Sequence, residues 1–314
     1  MTRAVVFAFL LACPAWAIVI TTGDPNSSAY TVGYQETVGG INLSGVVTVT
    51  SSIGGCTGSL LGDGYSILTA AHCVTSGSGL ATGITASFQG ASGSVPFSVD
   101  LTSVDPAYTG DATLGGDLAV LRLSAEAPTW ATRYSLFTGT PSTSPILLAG
   151  YGLSGVGTTG ATLGYGTLRA GTNEYVTTGT SFGWSSTLLM GQFYDSAIST
   201  TNALSAAHPY SAADEVMIAH GDSGGPSFYA GSIVGVHDLL VCVSVTSDCS
   251  QPPSISPTLN SYFGQIFADV SVSGNVSWID AQLVPEPGTM VLLSPVALFL
   301  CRRRRRKQAS EAIE

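Results

Sequence analysis

The stretch His-Gly-Asp-Ser-Gly-Gly-Pro at residues 220–226 is the most informative part of this sequence. Its glycines permit a tight turn, so that backbone amides near Ser223 can point toward one spot. A serine hydroxyl is a poor nucleophile unless an imidazole accepts its proton and a carboxylate orients that imidazole. If Ser223 is a nucleophile, a histidine and an aspartate from elsewhere in the chain must lie beside it.

Two other segments supply these groups. Thr-Ala-Ala-His-Cys at residues 69–73 contains His72, which we take as the candidate general base. Asp-Leu-Ala-Val-Leu-Arg-Leu at residues 117–123 begins with Asp117, the candidate orienting carboxylate, and continues as an apolar strand. The chain thus contains a base, an acid and a nucleophile in three separated segments.

The order His, Asp, Ser with these flanking residues resembles the trypsin/chymotrypsin family of serine endopeptidases. The resemblance covers Cys56 to about Ile279. It implies an all-β fold of two six-stranded antiparallel β-barrels with a short C-terminal helix. Short β-branched runs separated by turn residues agree with such a fold. It also implies hydrolysis of peptide bonds through an acyl-enzyme, without a cofactor.

The resemblance assigns roles to residues beside the nucleophile. The amides of Gly221 and Ser223 would form the oxyanion hole. Asp222 would bind the free amino group of the mature N-terminus. Removal of a signal peptide would expose Ile18, whereas Val-Gly-Gly at residues 38–40 is an alternative start.

The expected substrate pocket supports two different specificities. Met217 lies six residues before the nucleophile, where trypsin-type members carry an acidic residue, so a preference for basic side chains is not expected. The segment containing His237 resembles glutamyl endopeptidases, in which this histidine helps to bind an acidic side chain, and His220 could assist. Leu240 instead favours a shallow apolar pocket. Acidic and small apolar preferences both remain open.

The cysteines indicate an oxidising compartment. Four cysteines lie between the predicted terminal signals. The resemblance implies a Cys56–Cys73 disulfide beside the histidine. A bond between Cys242 and Cys249 would close a short loop, and two free thiols are the alternative. No histidine or cysteine pairs fall at zinc-ligand spacing, so we predict no metal.

Both ends resemble targeting signals. Residues 1–17 have the pattern of a secretory signal peptide, although Cys13 lies in a segment that also resembles a lipoprotein box. Residues 285–314 contain Pro-Glu-Pro-Gly, then a short apolar run and a basic cluster, and resemble a PEP-CTERM sorting signal. That resemblance implies export from a Gram-negative cell, with exosortase-type sorting machinery as a partner. The tail would first tether the chain to the inner membrane, and the chain would then be periplasmic, at the cell surface or extracellular.

The charge distribution excludes one class of partner. Residues 18–288 hold three arginines, no lysine and eighteen acidic residues. Nucleic-acid binding is disfavoured, because phosphate neutralisation requires Lys and Arg. We therefore expect protein or peptide substrates for a domain over residues 18–284, with barrel one over about 18–140 and barrel two over about 141–284. The alternative is a catalytically inactive protease-fold binding protein or matrix component.

Overall fold

The computed structural model describes residues 18–77, 79–140, 144–206, 210–242 and 259–283. The predicted signal peptide and the predicted sorting signal lie outside these ranges. The all-β prediction is confirmed, because strands and short 3₁₀ turns make up almost all of the regular structure. In the described residues, no helix is long and apolar enough to span a bilayer.

The first half of the chain forms a closed six-stranded antiparallel barrel. Its strands are short and rich in Val, Leu, Ile and Thr, which fit a pleated surface buried on one side. Phe88 and Leu121 lie in its apolar interior and are fully buried. In order around the barrel the strands are Gly93–Val104, Ala119–Leu123, Ser66–Thr69, Gly54–Leu60, Val46–Ser51 and Thr85–Gly90.

The second half is built on a seven-stranded antiparallel sheet. Its order is Arg169–Asn173, Ile146–Gly150, Pro226–Tyr229, Ser232–Cys242, Gln265–Ser271, Leu188–Gln192 and Thr177–Thr178. A bridge between Thr172 and Glu215 joins the first edge to a second, four-stranded sheet. One closed barrel and this second sheet system are consistent with the two-barrel fold expected from the sequence.

The N-terminal strand Ile18–Ile20 lies with the second half, although the sequence interpretation put it in barrel one. It pairs in parallel with Ser154–Val156 and antiparallel with Val216–Met217, and Gly160–Leu163 completes this sheet. All three side chains of the strand are fully buried. Burial of three large apolar side chains explains this position, since each contributes roughly 1.5–3 kcal/mol when removed from water.

The remaining elements are short. Two hairpins pair Thr37–Val38 with Ile41–Asn42 and Thr75–Ser76 with Gly79–Leu80. The expected C-terminal helix is present as Val276–Asp280, and Ile279 anchors it in the core. The 3₁₀ helices are Ala71–Cys73, Ala112–Leu114, Gly179–Phe182 and Ser199–Thr201.

Candidate active site

His72, Asp117 and Ser223 line one cavity of about 290 Å³ between the two halves of the molecule. The barrel supplies two of them: His72 lies in the 3₁₀ helix Ala71–Cys73, and Asp117 lies just before the strand Ala119–Leu123. Ser223 comes from the turn between Val216–Met217 and Pro226–Tyr229. The structure therefore brings together the three residues that the sequence singled out.

Asp117 holds His72 by two contacts. Its Oδ2 lies 2.5 Å from His72 Nδ1, and its Oδ1 accepts a hydrogen bond from the backbone N–H of His72 at 2.8 Å. The Asp117 side chain is fully buried, whereas the His72 side chain is 35% exposed. A buried carboxylate on Nδ1 fixes the tautomer that leaves Nε2 free to accept a proton.

The electrostatics of this pair suit a base. Burial opposes the charged form of His72, but the Asp117 carboxylate outweighs burial and raises the pKa of His72 above its ordinary value. Burial likewise opposes ionisation of Asp117, while the His72 imidazole lowers the pKa of Asp117 overall. The pair therefore favours the imidazolium that forms when a proton is taken up.

The loop bearing Ser223 is docked on the barrel strand Gly54–Leu60. The backbone N–H of Thr57 donates to the Ser223 carbonyl at 2.9 Å, and the Thr57 hydroxyl donates to the Gly221 carbonyl at 2.9 Å. Among the described residues the Ser223 hydroxyl has no hydrogen-bond partner. No hydrogen bond therefore joins Ser223 to His72 in this structure, although both line the same cavity. Such contacts commonly tighten only when substrate binds.

The peptide between His220 and Gly221 has a fixed orientation. The His220 carbonyl accepts a hydrogen bond from the Leu153 N–H at 2.7 Å. Because a trans peptide is planar, the Gly221 N–H points away from Leu153. Gly221 has a φ of 92°, which a residue with a Cβ rarely adopts. Neither the Gly221 nor the Ser223 amide has an acceptor among the described residues, which leaves both as free donors.

The Asp222 carboxylate stabilises the same loop by accepting two backbone hydrogen bonds. Its Oδ1 accepts from the Gly152 N–H and its Oδ2 from the Ala219 N–H, each at 2.8 Å. Burial raises the pKa of Asp222 to about 6, while these two amides act in the opposite direction. Gly152 is needed here, because a Cβ would lie 2.4 Å from the Asp222 nitrogen. The expected pairing of Asp222 with a free amino group at Ile18 stays a prediction.

The expected substrate-pocket residues divide into two groups. His220 and Leu240 line the cavity, together with Ile218, Ala219 and Leu239. Met217 instead lies in the core, paired with Val19. His237 is fully buried, and its Nδ1 contacts Asp269 Oδ1 at 2.9 Å. In the described residues the cavity wall beside Ser223 is therefore mainly apolar.

One predicted disulfide is confirmed. Cys56 and Cys73 are bonded, with their Cα atoms 6.0 Å apart, and tie the His72 segment to the strand Gly54–Leu60. Cys242 is also disulfide-bonded. Cys249 lies outside the described residues, so the Cys242–Cys249 pairing stays a prediction.

Sequence reasoning missed two residues at the site. Thr57 joins the nucleophile loop to the barrel, and Asp238 lines the cavity beside Asp117. In the sequence, Asp238 is marked only as the residue that follows His237. No short-range pattern, however, marks either residue, because both act on partners more than one hundred positions away.

Comparison with known proteins agrees with this geometry. The trypsin family profile matches residues 31–262, which is most of the chain. This chain belongs to the trypsin family. Among solved structures, neuropsin, a serine protease expressed in the limbic system of mouse brain, is similar in fold. It is 14% identical, with 77% of this chain and 95% of that chain covered and a TM-score of 0.51. No curated protein matches this sequence.

Proposed function

We propose that this trypsin-family chain is a serine endopeptidase that cleaves peptide bonds through an acyl-enzyme. The observation that carries the proposal is the shared cavity of His72, Asp117 and Ser223, in which Asp117 orients His72. His72 would take the Ser223 proton as the hydroxyl attacks the carbonyl, then return it to the leaving amine. The Gly221 and Ser223 amides would stabilise the tetrahedral oxyanion.

The cavity wall favours a small apolar side chain at the cleavage site. Ile218, Ala219, Leu239 and Leu240 offer no charge to an acidic substrate group. His237, which an acidic preference requires, contacts Asp269 and lies in the core. His220 also has a partner, because its Nε2 lies 2.8 Å from the Leu259 carbonyl.

Hydrolysis of a peptide library tests activity and specificity together. The wild-type chain is compared with Ser223→Ala, which keeps the fold and removes the hydroxyl. We expect cleavage after small apolar residues by wild type alone. Equal cleavage by both proteins, or none by either, would favour the alternative of a catalytically inactive binding protein or matrix component.

We further propose that the chain is exported and tethered to the inner membrane by its C-terminal tail. The signal-like residues 1–17 and the PEP-CTERM-like residues 285–314 support this, with exosortase-type machinery as the partner. The Cys56–Cys73 disulfide is consistent with an oxidising compartment. Fractionation of cells with N-terminal sequencing of the purified chain tests it. A start at Ile18 supports signal cleavage after residue 17. A lipid-modified Cys13 would contradict the Ile18 start while still indicating export, whereas a cytoplasmic chain would contradict the proposal.

A further inference from the structure

Asp238 is a buried acid whose environment the proposed mechanism does not explain. It is 6% exposed, and apart from the carboxyl group of Asp117 neither of its carboxyl oxygens has a hydrogen-bond partner among the described residues. An ionised carboxylate in this state is strongly unfavourable, because no group replaces the water that it has lost. The carboxyl group must therefore be neutralised or must share a proton with a neighbour.

An irregularity in the strand that carries Asp238 turns the Asp238 side chain toward His72 and Asp117. In Ser232–Cys242 the pairing with Gln265–Ser271 shifts between His237 and Leu239, so Asp238 falls at the irregularity. His237 extends to Asp269, whereas Asp238 lines the cavity with His72 and Asp117. An oxygen of Asp238, an oxygen of Asp117 and a ring nitrogen of His72 all lie within 4.8 Å of one another.

The charges around Asp238 are almost all negative. Asp117 is the nearest, and Asp269 and Asp111 add to its effect, while the Tyr108 phenol also faces this acid. His72 is the one basic group of the cluster, and Asp117 already holds it. None of the three arginines of the described chain lines the cavity. Two carboxylates this close do not both ionise without a compensating cation.

We propose that Asp238 is a neutral carboxylic acid whose O–H donates a hydrogen bond to the Asp117 carboxylate. Two ionised carboxylates are both acceptors and cannot bond, so the O–H of Asp238 is the donor that their proximity requires. Burial raises the pKa of Asp238 well above its ordinary value, and Asp117 raises it further.

The consequence for catalysis rests on the proposed peptidase function. Asp238 is then a positioning residue that acts through Asp117. During acylation the Ser223 proton moves to His72 Nε2, while the Asp238 proton stays on Asp238. Asp117 remains the anion that stabilises the imidazolium, and its orientation is fixed by donors on two sides.

Infrared spectroscopy tests the protonation without requiring activity. The full chain carries Ser223→Ala to prevent self-digestion and is measured at about pH 8, above the pKa of about 6 for Asp222. We expect an undissociated carboxyl band that shifts on labelling with ¹³C-aspartate and disappears on adding Asp238→Asn. Glu215, with a pKa of about 8, serves as the internal control, because its band does not shift with that label.

Three results would overturn the proposal: no aspartic-acid band at this pH, a band that survives Asp238→Asn, or stoichiometric Zn²⁺ binding lost in Asp238→Asn. The last would show an ionised metal ligand. If the double variant does not fold, the labelled Ser223→Ala protein still decides, because absence of its aspartic-acid band contradicts the proposal.

Kinetics separate the positioning role from a merely structural one. Asp238→Ala removes the donor and should lower kcat about tenfold to a hundredfold with little change in KM. Asp238→Asn keeps an N–H donor and should recover most of that loss, with an unchanged acidic limb of the pH profile. An acidic limb that moves to lower pH in Asp238→Asn would show an ionised Asp238 and overturn the proposal. An aspartic-acid band without peptide hydrolysis would instead contradict the proposed function alone.

Discussion

The Thr57 hydroxyl of the barrel donates a 2.9 Å hydrogen bond to the Gly221 carbonyl of the nucleophile loop. The same hydroxyl accepts from the Tyr151 N–H at 3.0 Å, and the Thr57 N–H donates to the Ser223 carbonyl. Thr57 follows Cys56, whose disulfide holds the neighbour of His72. One barrel strand therefore sets the position of the base and of the nucleophile relative to each other.

Thr57→Val should reduce kcat about tenfold to a hundredfold. The substitution keeps the shape of the side chain but leaves the partly buried Gly221 carbonyl and the buried Tyr151 N–H without this partner. An unsatisfied buried group costs roughly 1–3 kcal/mol. Steady-state kinetics with a peptide substrate measure the effect. Thr57→Ser is the matched control, because it retains the hydroxyl. Equal losses in the two variants would contradict a role for the hydrogen bonds.

The rate should fall in acid with a midpoint above the ordinary histidine value of 6.5. His72 must be neutral to accept the Ser223 proton, and Asp117, opposing burial, raises the pKa of His72. In Asp117→Asn the midpoint of kcat/KM should move to lower pH and kcat should fall by roughly 10⁴. A midpoint that does not move would show that Asp117 does not control His72.

Loss of the Cys56–Cys73 disulfide should destabilise the chain. Its two cysteines are 17 positions apart, and a bond closing a loop of this size contributes roughly 2–4 kcal/mol to the free energy of unfolding. Denaturant unfolding of Cys56→Ser/Cys73→Ser measures the loss. Activity per folded molecule should also fall, since both cysteines flank groups that position the site. An unchanged unfolding midpoint would contradict this.

Glu215 should make the free energy of unfolding decrease as the pH rises, because its folded-state pKa is raised. It is fully buried, with Oε1 accepting from the Tyr194 N–H at 2.9 Å and Oε2 without a partner among the described residues. Burial raises its folded pKa to about 8, from 4.5. Because the folded state then holds the proton more tightly, this contribution to stability is present below pH 4.5 and is lost as pH rises toward 8.

Glu215→Gln tests this contribution, because glutamine keeps the acceptor for Tyr194 and cannot ionise. We expect the variant to gain stability over wild type as the pH rises to about 8, by on the order of 1.4 kcal/mol for each pKa unit of the shift. Chemical denaturation at several pH values gives the difference. A constant difference across the range would contradict the assignment.

The sequence predicted the parts of the site that are encoded in short segments. Ser223, His72 and Asp117 each stand in a local pattern, and alternating apolar runs indicate strands. The roles of Thr57 and Asp238 depend on pairing between distant strands, and a register shift near His237 decides which way Asp238 faces. Met217 also shows this limit: its spacing from Ser223 suggested a pocket residue, but pairing with Val19 places it in the core.

Covalent labelling with a fluorophosphonate, followed by peptide mapping, tests the central claim most directly. The serine oxygen displaces fluoride from the reagent, and the reaction is fast only for a serine that a neighbouring base has activated. We expect one adduct per chain, on Ser223, which is absent in His72→Ala and after denaturation. An intact, folded protein that remains unlabelled, or that is labelled elsewhere, would contradict it.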